Sequence, residues 1–426
     1  MEDSEKNFDT LILLVGTNPL PNFVVAEYFL KNNPELKYIF MIYSEKTDKQ
    51  SGTKEYAENL QKLLQNRHEI KPEIKFFTLS DISDAEKIER DLNNNLKNAL
   101  KNKKHLHLNY TGGTKAMVIH VYRWIEKYGL ENHIETSFSY LDARTFKIVD
   151  DKKGRITGDL REEIKLKIED LLSLHGFSPI KLEFNILDNI FDNAIEKFRN
   201  IIKEDMLRDF FKSYHRYFFI TNSGKLIDKK EKMIERINEL KSKEIELKAK
   251  GIFLEIFKVI PEDYRLFNDD GSFKMPESNS KLEKVIKFID GKWLENYLYK
   301  ILCKTLSDNI LAYNLEIKKS DWKSPNQKFE IDLILLKGYQ LIGISCTTSS
   351  ERALCKSKGF EIFMRTKQIG GDEARAILVT TLPENKKIEI QQELEVDTGG
   401  RENILVLGID DLKEEVLTNK IKNYIE

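Results

Sequence analysis

The chain has 426 residues, too many for one ordinary domain, and 40% of them are apolar, enough for more than one core. Lys plus Arg (69) and Asp plus Glu (70) nearly cancel to a net charge of -1, which excludes a global basic field and leaves nucleic-acid contact to local sites. No apolar run approaches the roughly 20 residues of a bilayer span, MEDSEKNFDT is acidic rather than signal-like, and three cysteines without a CxxC pair exclude a disulfide framework; a soluble, cytoplasmic protein with three small buried thiols is expected.

Taken in chain order, residues 10 to 150 alternate apolar runs (TLILLVGT, KYIFMIYS, EIKFFTLS, HLHLNYT, IETSFSYLD) with stretches of helical periodicity, as at 83–100 and 114–129. That alternation predicts a parallel, doubly wound α/β sheet over 1–152. From 153 to 280 the pattern becomes charged and helical, with DKKEKMIERINELKSKEIELKAK as a solvated face or dimerising arm, and FNDDGSFKMPESNS reads as a linker. From 281 to 426 the order is a helix (284–304), three strands (312–317, 329–336, 340–347) with a Lys337-Gly338 turn, a helix (352–369) and two further strands.

Ligands of open parallel sheets bind beyond the carboxyl ends of the strands, where the strand order reverses. Asn109, Tyr110, Thr111, Gly112, Gly113, Thr114 and Lys115 stand there after the fourth strand. Paired glycines admit a ligand close to the backbone, a helix N-terminus favours an anion, and Lys115 adds a cation. Chemically this is a phosphate cradle, although neither Walker nor GxGxxG spacing is present; a tight turn with a capping threonine is the alternative. Gly16, Thr17, Asn18 and Pro19 after the first strand, and Ser44 after the second, fall at the same edge.

The combination of TNPLPN, NYTGGTKAM and SYLDARTFKIV resembles the CARF domains, the Rossmann-like cyclic-oligoadenylate sensors of type III CRISPR systems, over about the first 150 residues. The resemblance implies that Thr17, Asn18, Ser44, Asn109, Thr111, Gly112, Gly113, Thr114 and Lys115 face a cyclic oligoadenylate, with the four-membered ring (cA4) expected. It also implies a homodimer that joins two crevices around the ring. Slow cleavage of the ligand by the sensor itself is compatible with the same residues.

The C-terminal order matches the core of the PD-(D/E)xK nucleases. GKWLENYLY places Glu295 on a helix and KFEIDLILL places Asp332 inside an apolar strand, where a carboxylate is costly unless paired. Mg²⁺ or Mn²⁺ held by Glu295 and Asp332 is the expected partner, with a buried salt bridge as the structural alternative for Asp332. Where the family has Glu-x-Lys, GISCTTSS offers Ser345 and Thr347, neither a base nor a cation. Lys356 or Lys358 from the next helix is expected to substitute, or the Cys346 carbonyl and water complete the metal shell. Arg365, Lys367 and Gln368, in a segment similar to the Q-x-G-G-D-E-A-R helix end of CARF-linked nucleases, are expected at the nucleic-acid backbone. Over its full length the chain resembles the CRISPR ancillary nucleases, dimers that join a CARF sensor to such an effector. Two alternatives stand beside this: a ligand-controlled binding protein with a degenerate nuclease domain, and a metal-independent HEPN ribonuclease using the Arg-x6-His pair Arg208 and His215.

Overall fold

The computed structural model describes all residues except 1–6, 49, 69–71, 185–189, 217–228, 243–247, 307–308 and 320–327. The N-terminal unit is β1 (Thr10–Val15), α1 (Leu20–Asn32), β2 (Tyr38–Ser44), α2 (Lys54–Arg67), β3 (Glu73–Leu79), α3 (Ala85–Asp91), β4 (His105–Asn109), α4 (Lys115–Asn132), β5 (Glu135–Asp142), β6 (Lys147–Asp150) and β7 (Gly154–Arg155). Its sheet runs β3-β2-β1-β4-β5-β6-β7. The first five strands are parallel and the last two antiparallel. Every residue of β1 is buried, as a central parallel strand covered on both faces requires. The order reverses between β1 and β4, so the loops that follow these two strands flank the switch point.

Two short helices, α5 (Leu160–Glu163) and α6 (Ile168–Leu174), lead into β8 (Phe177–Glu183). Helices α7 (Asp192–Lys203), α8 (Leu207–Arg216), α9 (Lys230–Ser242), α10 (Gly251–Val259) and α11 (Asn279–Lys287) follow, then a π-helical turn over Phe288–Lys292 and α12 (Trp293–Thr305). The second sheet is completed by β9 (Ile310–Lys319), β10 (Phe329–Lys337), β11 (Gln340–Thr347), α13 (Arg352–Gly370), β12 (Arg375–Thr380), α14 (Glu384–Thr398), β13 (Ile404–Leu407) and α15 (Glu414–Ile425). Its order is β13-β12-β11-β10-β9-β8. Strands β8 to β11 are antiparallel, whereas β12 and β13 run parallel to β11.

Three differences from the sequence reading have local causes. Strand β8, inside the stretch read as helical, is the edge of the second sheet; its Pro179 lacks an N–H and is tolerated only at such an edge. The helix expected over 284–304 is broken by the π turn at 288–292, which contains Gly291. Of the three thiols, Cys346 and Cys355 are buried but Cys303 is exposed.

One hydrophobic core joins the two units. It runs from Leu11, Phe23 and Phe29 through Leu160, Leu171 and Leu172 to Ile331, Tyr339 and Leu378. Arg161, 2% exposed, reinforces the junction: it donates to Gln340 Oε1 at 2.7 Å and to the Ile425 carbonyl at 2.8 Å. Among the described residues, no helix is long and apolar enough to cross a membrane.

Candidate functional site

At the switch point the two loops pack back to back. A Cβ on Gly112 would lie 2.0 Å from the Leu14 carbonyl oxygen, and Gly113 has φ +81°, so glycines are required at both positions. Thr114 caps α4: its Oγ1 accepts from the Met117 N–H at 3.3 Å and donates to the Ile82 carbonyl at 3.2 Å. Lys115, the first residue of α4, is exposed and makes no ion pair among the described residues, and Thr17 is exposed on the facing loop. These groups and the α4 amides present donors and positive charge to one edge, which suits an anionic ligand.

The remaining residues expected at the ligand hold the loops rather than project from them. Asn109 is fully buried; its Oδ1 accepts from Thr111 Oγ1 at 2.7 Å and its Nδ2 donates to Ser139 Oγ at 3.0 Å. Thr111 Oγ1 accepts from the Leu141 N–H at 2.7 Å. Ser44, 1% exposed, donates to the Ser51 carbonyl at 3.1 Å, and its N–H donates to Thr53 Oγ1. Thr53, which the strand-end reasoning passed over, also donates to the Val15 carbonyl at 2.8 Å and so ties the first loop to the second.

Asn18 turns toward the second unit. Its Nδ2 donates to Glu373 Oε2 at 3.3 Å, its Oδ1 lies 3.2 Å from His175 Nε2, and the same oxygen accepts from the Leu20 N–H at 3.3 Å. The contact is close: Gly371 has φ +68°, and a Cβ there would fall 2.1 Å from Asn18 Nδ2. Glu373 is 3% exposed, and burial raises its carboxyl to about 7 while Asn18 pulls it down. Burial lowers His175 to about 4, so a neutral ring meets the amide. A residue expected at the ligand thus bridges the ligand-loop edge and the end of α13.

In the second unit, pairing of Leu333 with Ile344 sets Asp332 of β10 beside Ser345 of β11. Asp332 Oδ2 accepts from Ser345 Oγ at 3.1 Å and from the Cys346 N–H at 2.8 Å, while Oδ1 has no hydrogen-bond partner among the described residues. Glu295 on α12 meets the same cleft, of about 500 Å³, together with Ser345, Lys358 and Arg365. Burial raises the Glu295 carboxyl to about 7, the Asp332 charge adds to this, and Lys292 opposes it. Lys292 Nζ donates to Glu295 Oε2 at 2.6 Å and to Asn314 Oδ1 at 3.2 Å, and sits 4.5 Å from the centre of the Tyr313 ring. Burial would lower this ammonium, but the Glu295 charge and Tyr313 hold it above its ordinary value.

The structure separates the two candidate lysines. Lys356 pairs with Glu393 at 3.1 Å and Asp397 at 2.9 Å on α14, away from the carboxylates. Lys358, two positions on and therefore on another side of the helix, lines the cleft and makes no ion pair among the described residues. Thr347 is 7% exposed and accepts from the Ser349 N–H, a turn contact outside the cleft. Gln368 is exposed and accepts from Arg365 Nη1 at 3.3 Å, and Lys367 reaches Asp372 at 3.4 Å. Arg208 is held by Asp410 at 2.7 and 2.8 Å, and the side chain of His215 lies outside the described residues.

Among the described residues no three His, Cys, Asp or Glu side chains gather as a metal-ligand set. The donors present are two carboxylates and a hydroxyl, all hard oxygen ligands. They fit an ion such as Mg²⁺ or Mn²⁺ that keeps several waters, and the mutual repulsion of Glu295 and Asp332 is what such an ion would relieve.

Residues 10–167 match the model of the Card1 CARF domain. No curated protein sequence matches the chain. Among solved structures, the chain is similar to Can2 from Sulfobacillus thermosulfidooxidans in complex with cyclic tetra-adenylate, at 15% identity over 98% of this chain and 99% of that one, with a TM-score of 0.62. It is also similar to protein VC1899 from Vibrio cholerae, at 14% identity over the same shares, with a TM-score of 0.61. The two-sheet fold is therefore shared with both of these chains, and residues 10–167 form a domain of the Card1 CARF type joined to a second α/β unit.

Proposed function

We propose that the protein is a cyclic-oligoadenylate-activated, metal-dependent nuclease of type III CRISPR antiviral defence, with cA4 as activator and phosphodiester bonds of DNA or RNA as target. The observation that carries the effector half is the convergence of Glu295, Asp332, Ser345 and Lys358 on one cleft, although the Glu-x-Lys pair is missing from β11. For the sensor half, support comes from the Card1-type match and from the exposed Thr17, Thr114 and Lys115 at the switch point. Can2, which shares the fold, is seen with cA4. A ring with two-fold symmetry calls for a homodimer, and a cytoplasmic location accords with an intracellular target.

In the cleft, the Ser345 hydroxyl and Cys346 amide fix the orientation of Asp332, leaving Oδ1 for a ligand. Glu295 and Asp332 would hold Mg²⁺ or Mn²⁺, which when bound polarises the phosphoryl oxygen and lowers the pKa of its water. Lys358 would supply the positive charge that the third strand lacks, beside the oxygen on which negative charge develops. At the other end, Asn18 ties the ligand loop to Glu373 in the turn that follows α13, the helix that carries Lys358. A change of the first loop on ligand binding would thus reach the cleft through Glu373 and Gly371.

A second reading has a specific observation behind it. Because Ser345 replaces the acid of β11, ligand-controlled gripping of nucleic acid without cleavage fits the same cleft. Replacing both Thr114 and Lys115 by Ala tests the sensor: loss of the cA4 response with an unchanged fold is expected, and an unchanged response would place the ligand elsewhere.

A further inference from the structure

Strands β4 and β5 carry a stripe of polar side chains on one face of the sensor sheet. Parallel pairing sets His107 opposite Ser137 and Asn109 opposite Ser139, and His105 starts the same face two residues earlier. The contacts are continuous. Thr111 Oγ1 donates to Asn109 Oδ1 at 2.7 Å, Asn109 Nδ2 donates to Ser139 Oγ at 3.0 Å, and Ser139 Oγ lies 2.7 Å from His107 Nε2. His107 Nδ1 lies 2.7 Å from Ser137 Oγ, which is 2.9 Å from His105 Nε2, and His105 Nδ1 is 2.9 Å from the Asn7 carbonyl. A relay of side chains thus runs from the ligand loop along the whole of β4 to the opposite edge of the sheet, about 13 Å at roughly 3.3 Å per residue.

The protons of this relay point one way. The Asn109 amide nitrogen only donates, so Ser139 accepts from it and gives its own proton to His107 Nε2. His107 then donates through Nδ1 to Ser137, Ser137 donates to His105 Nε2, and the His105 Nδ1–H is left for the Asn7 carbonyl. Asn109, Ser139 and His107 are buried, and Phe8 and Phe29 cover the His107 ring at 4.4 and 5.0 Å. Burial lowers His107 to about 3, and the charges of His105 and Lys153 add to this, so the ring stays neutral and passes on hydrogen bonds rather than charge. His105, at the far end, meets two carboxylates. Glu135 Oε2 is 3.7 Å from its Nδ1, and Asp9 accepts from the N–H groups of Lys104 and His105 at 3.1 and 3.5 Å.

We infer that this relay is a proton-linked switch of the ligand loop, with His107 as a positioning residue: a proton taken up by His105 reverses the relay and frees the Thr111 hydroxyl proton for a phosphate of the bound cyclic oligoadenylate. The inference rests on the sensor reading and adds how the affinity of that site is regulated. A proton added at His105 Nε2 makes this nitrogen a donor to Ser137. Ser137 then donates to His107 Nδ1, His107 carries its proton on Nε2 toward Ser139, and Ser139 donates to Asn109 Oδ1 once the amide has turned over. Asn109 Nδ2 now donates to Thr111 Oγ1, which still accepts from the Leu141 N–H, and the half-buried Thr111 hydroxyl turns its proton to the ligand. One proton enters at His105 and none leaves. Turning the amide gives up the bond from the Thr111 N–H to Asn109 Oδ1 at 3.3 Å, so the empty sensor keeps the first direction and an anionic acceptor favours the second. Ligand and proton therefore assist each other's binding.

The test is calorimetric titration of cA4 into the full-length protein in buffers of different ionisation enthalpy, which yields the protons taken up per ligand, across about pH 5 to 8, where histidine changes charge. The wild type is expected to take up at most about one proton per chain and to bind cA4 more tightly as pH falls, by no more than about ten-fold per pH unit. Ser137→Ala cuts the relay between the two histidines without touching the ligand loop. It should bind cA4 with no proton uptake and a flat pH profile, and Ser137→Thr, which restores the hydroxyl, should recover both. His105→Gln, at the far end of the relay, gives the same loss should Ser137→Ala not fold. A wild type that binds cA4 without proton uptake refutes the relay and leaves the sensor reading standing. Uptake that persists in Ser137→Ala also refutes it, and its disappearance in Glu373→Gln would place the proton at the junction with the second unit instead. A wild type that binds no cA4 at any pH overturns the sensor reading and the relay together.

Discussion

Asn18→Ala removes the side chain that joins the ligand loop to the effector. In the wild type this amide serves three partners: Glu373 Oε2 at 3.3 Å, His175 Nε2 at 3.2 Å and the Leu20 N–H at 3.3 Å. Glu373 is 3% exposed, and leaving such a buried acceptor without its donor costs about 1–3 kcal/mol. The same amount bounds the coupling that can pass through the contact, which corresponds to roughly 5- to 150-fold. If the contact holds the resting arrangement, its loss raises basal cleavage; if it transmits the ligand signal, its loss lowers activated cleavage. In both cases the ratio of rates with and without saturating cA4 falls. The assay is initial-rate cleavage at saturating metal, with calorimetric cA4 binding and thermal unfolding measured in parallel. A ratio within two-fold of wild type, with cA4 still bound, would refute the idea that this junction carries the signal.

Lys358→Ala is expected to lower the cleavage rate by about 10²-fold or more, as loss of one preorganised charge does elsewhere, whereas Lys356→Ala, which breaks only the pairs to Glu393 and Asp397, should stay within a few-fold; single-turnover rates separate the two. Glu373→Gln should change the pH dependence of stability. A carboxyl raised from an ordinary 4.5 to about 7 favours the fold below pH 4.5, and that advantage fades as pH rises through 7; the Gln variant should therefore gain up to about 3 kcal/mol on the wild type at pH 8 and nothing at pH 4.5, read from denaturation midpoints at both pH values. Glu295, also raised to about 7, makes metal binding compete with protons, so Mn²⁺ affinity measured by calorimetry should rise with pH and level off above about 7.

Much of this molecule is legible in the chain because its signals are local. Apolar strands ending in Thr-Gly-Gly-Thr-Lys announce a sheet edge with a helix N-terminus behind it, and a lone Asp332 in KFEIDLILL announces a paired or metal-bound carboxylate. The hairpin turn expected at Lys337-Gly338 falls one residue on, over Gly338-Tyr339 between the paired Lys337 and Gln340, with Gly338 at φ +63°. What escapes is side-chain direction and long-range partnership. Spacing places Asn18 at the ligand edge, yet its neighbours Glu373 and His175 lie 355 and 157 residues away, and nothing local reports them. Choosing between Lys356 and Lys358 needs the helix phase relative to α14, because two residues' separation turns the side chain to another side. Lys292 stands one helical turn before Glu295, and that spacing was the available signal for their ion pair. Strand β8 is hidden because an edge strand with Pro179 lacks the alternation of a central one.

The most direct measurement is cleavage of labelled RNA, single-stranded DNA and supercoiled plasmid with Mn²⁺ or Mg²⁺, with and without cA4, alongside Asp332→Ala. Cutting that requires both metal and cA4, and that disappears in Asp332→Ala while cA4 still binds, is the expected result. A wild type that binds cA4 and leaves every substrate intact, or an Asp332→Ala protein as active as the wild type, would contradict the assignment of the cleft.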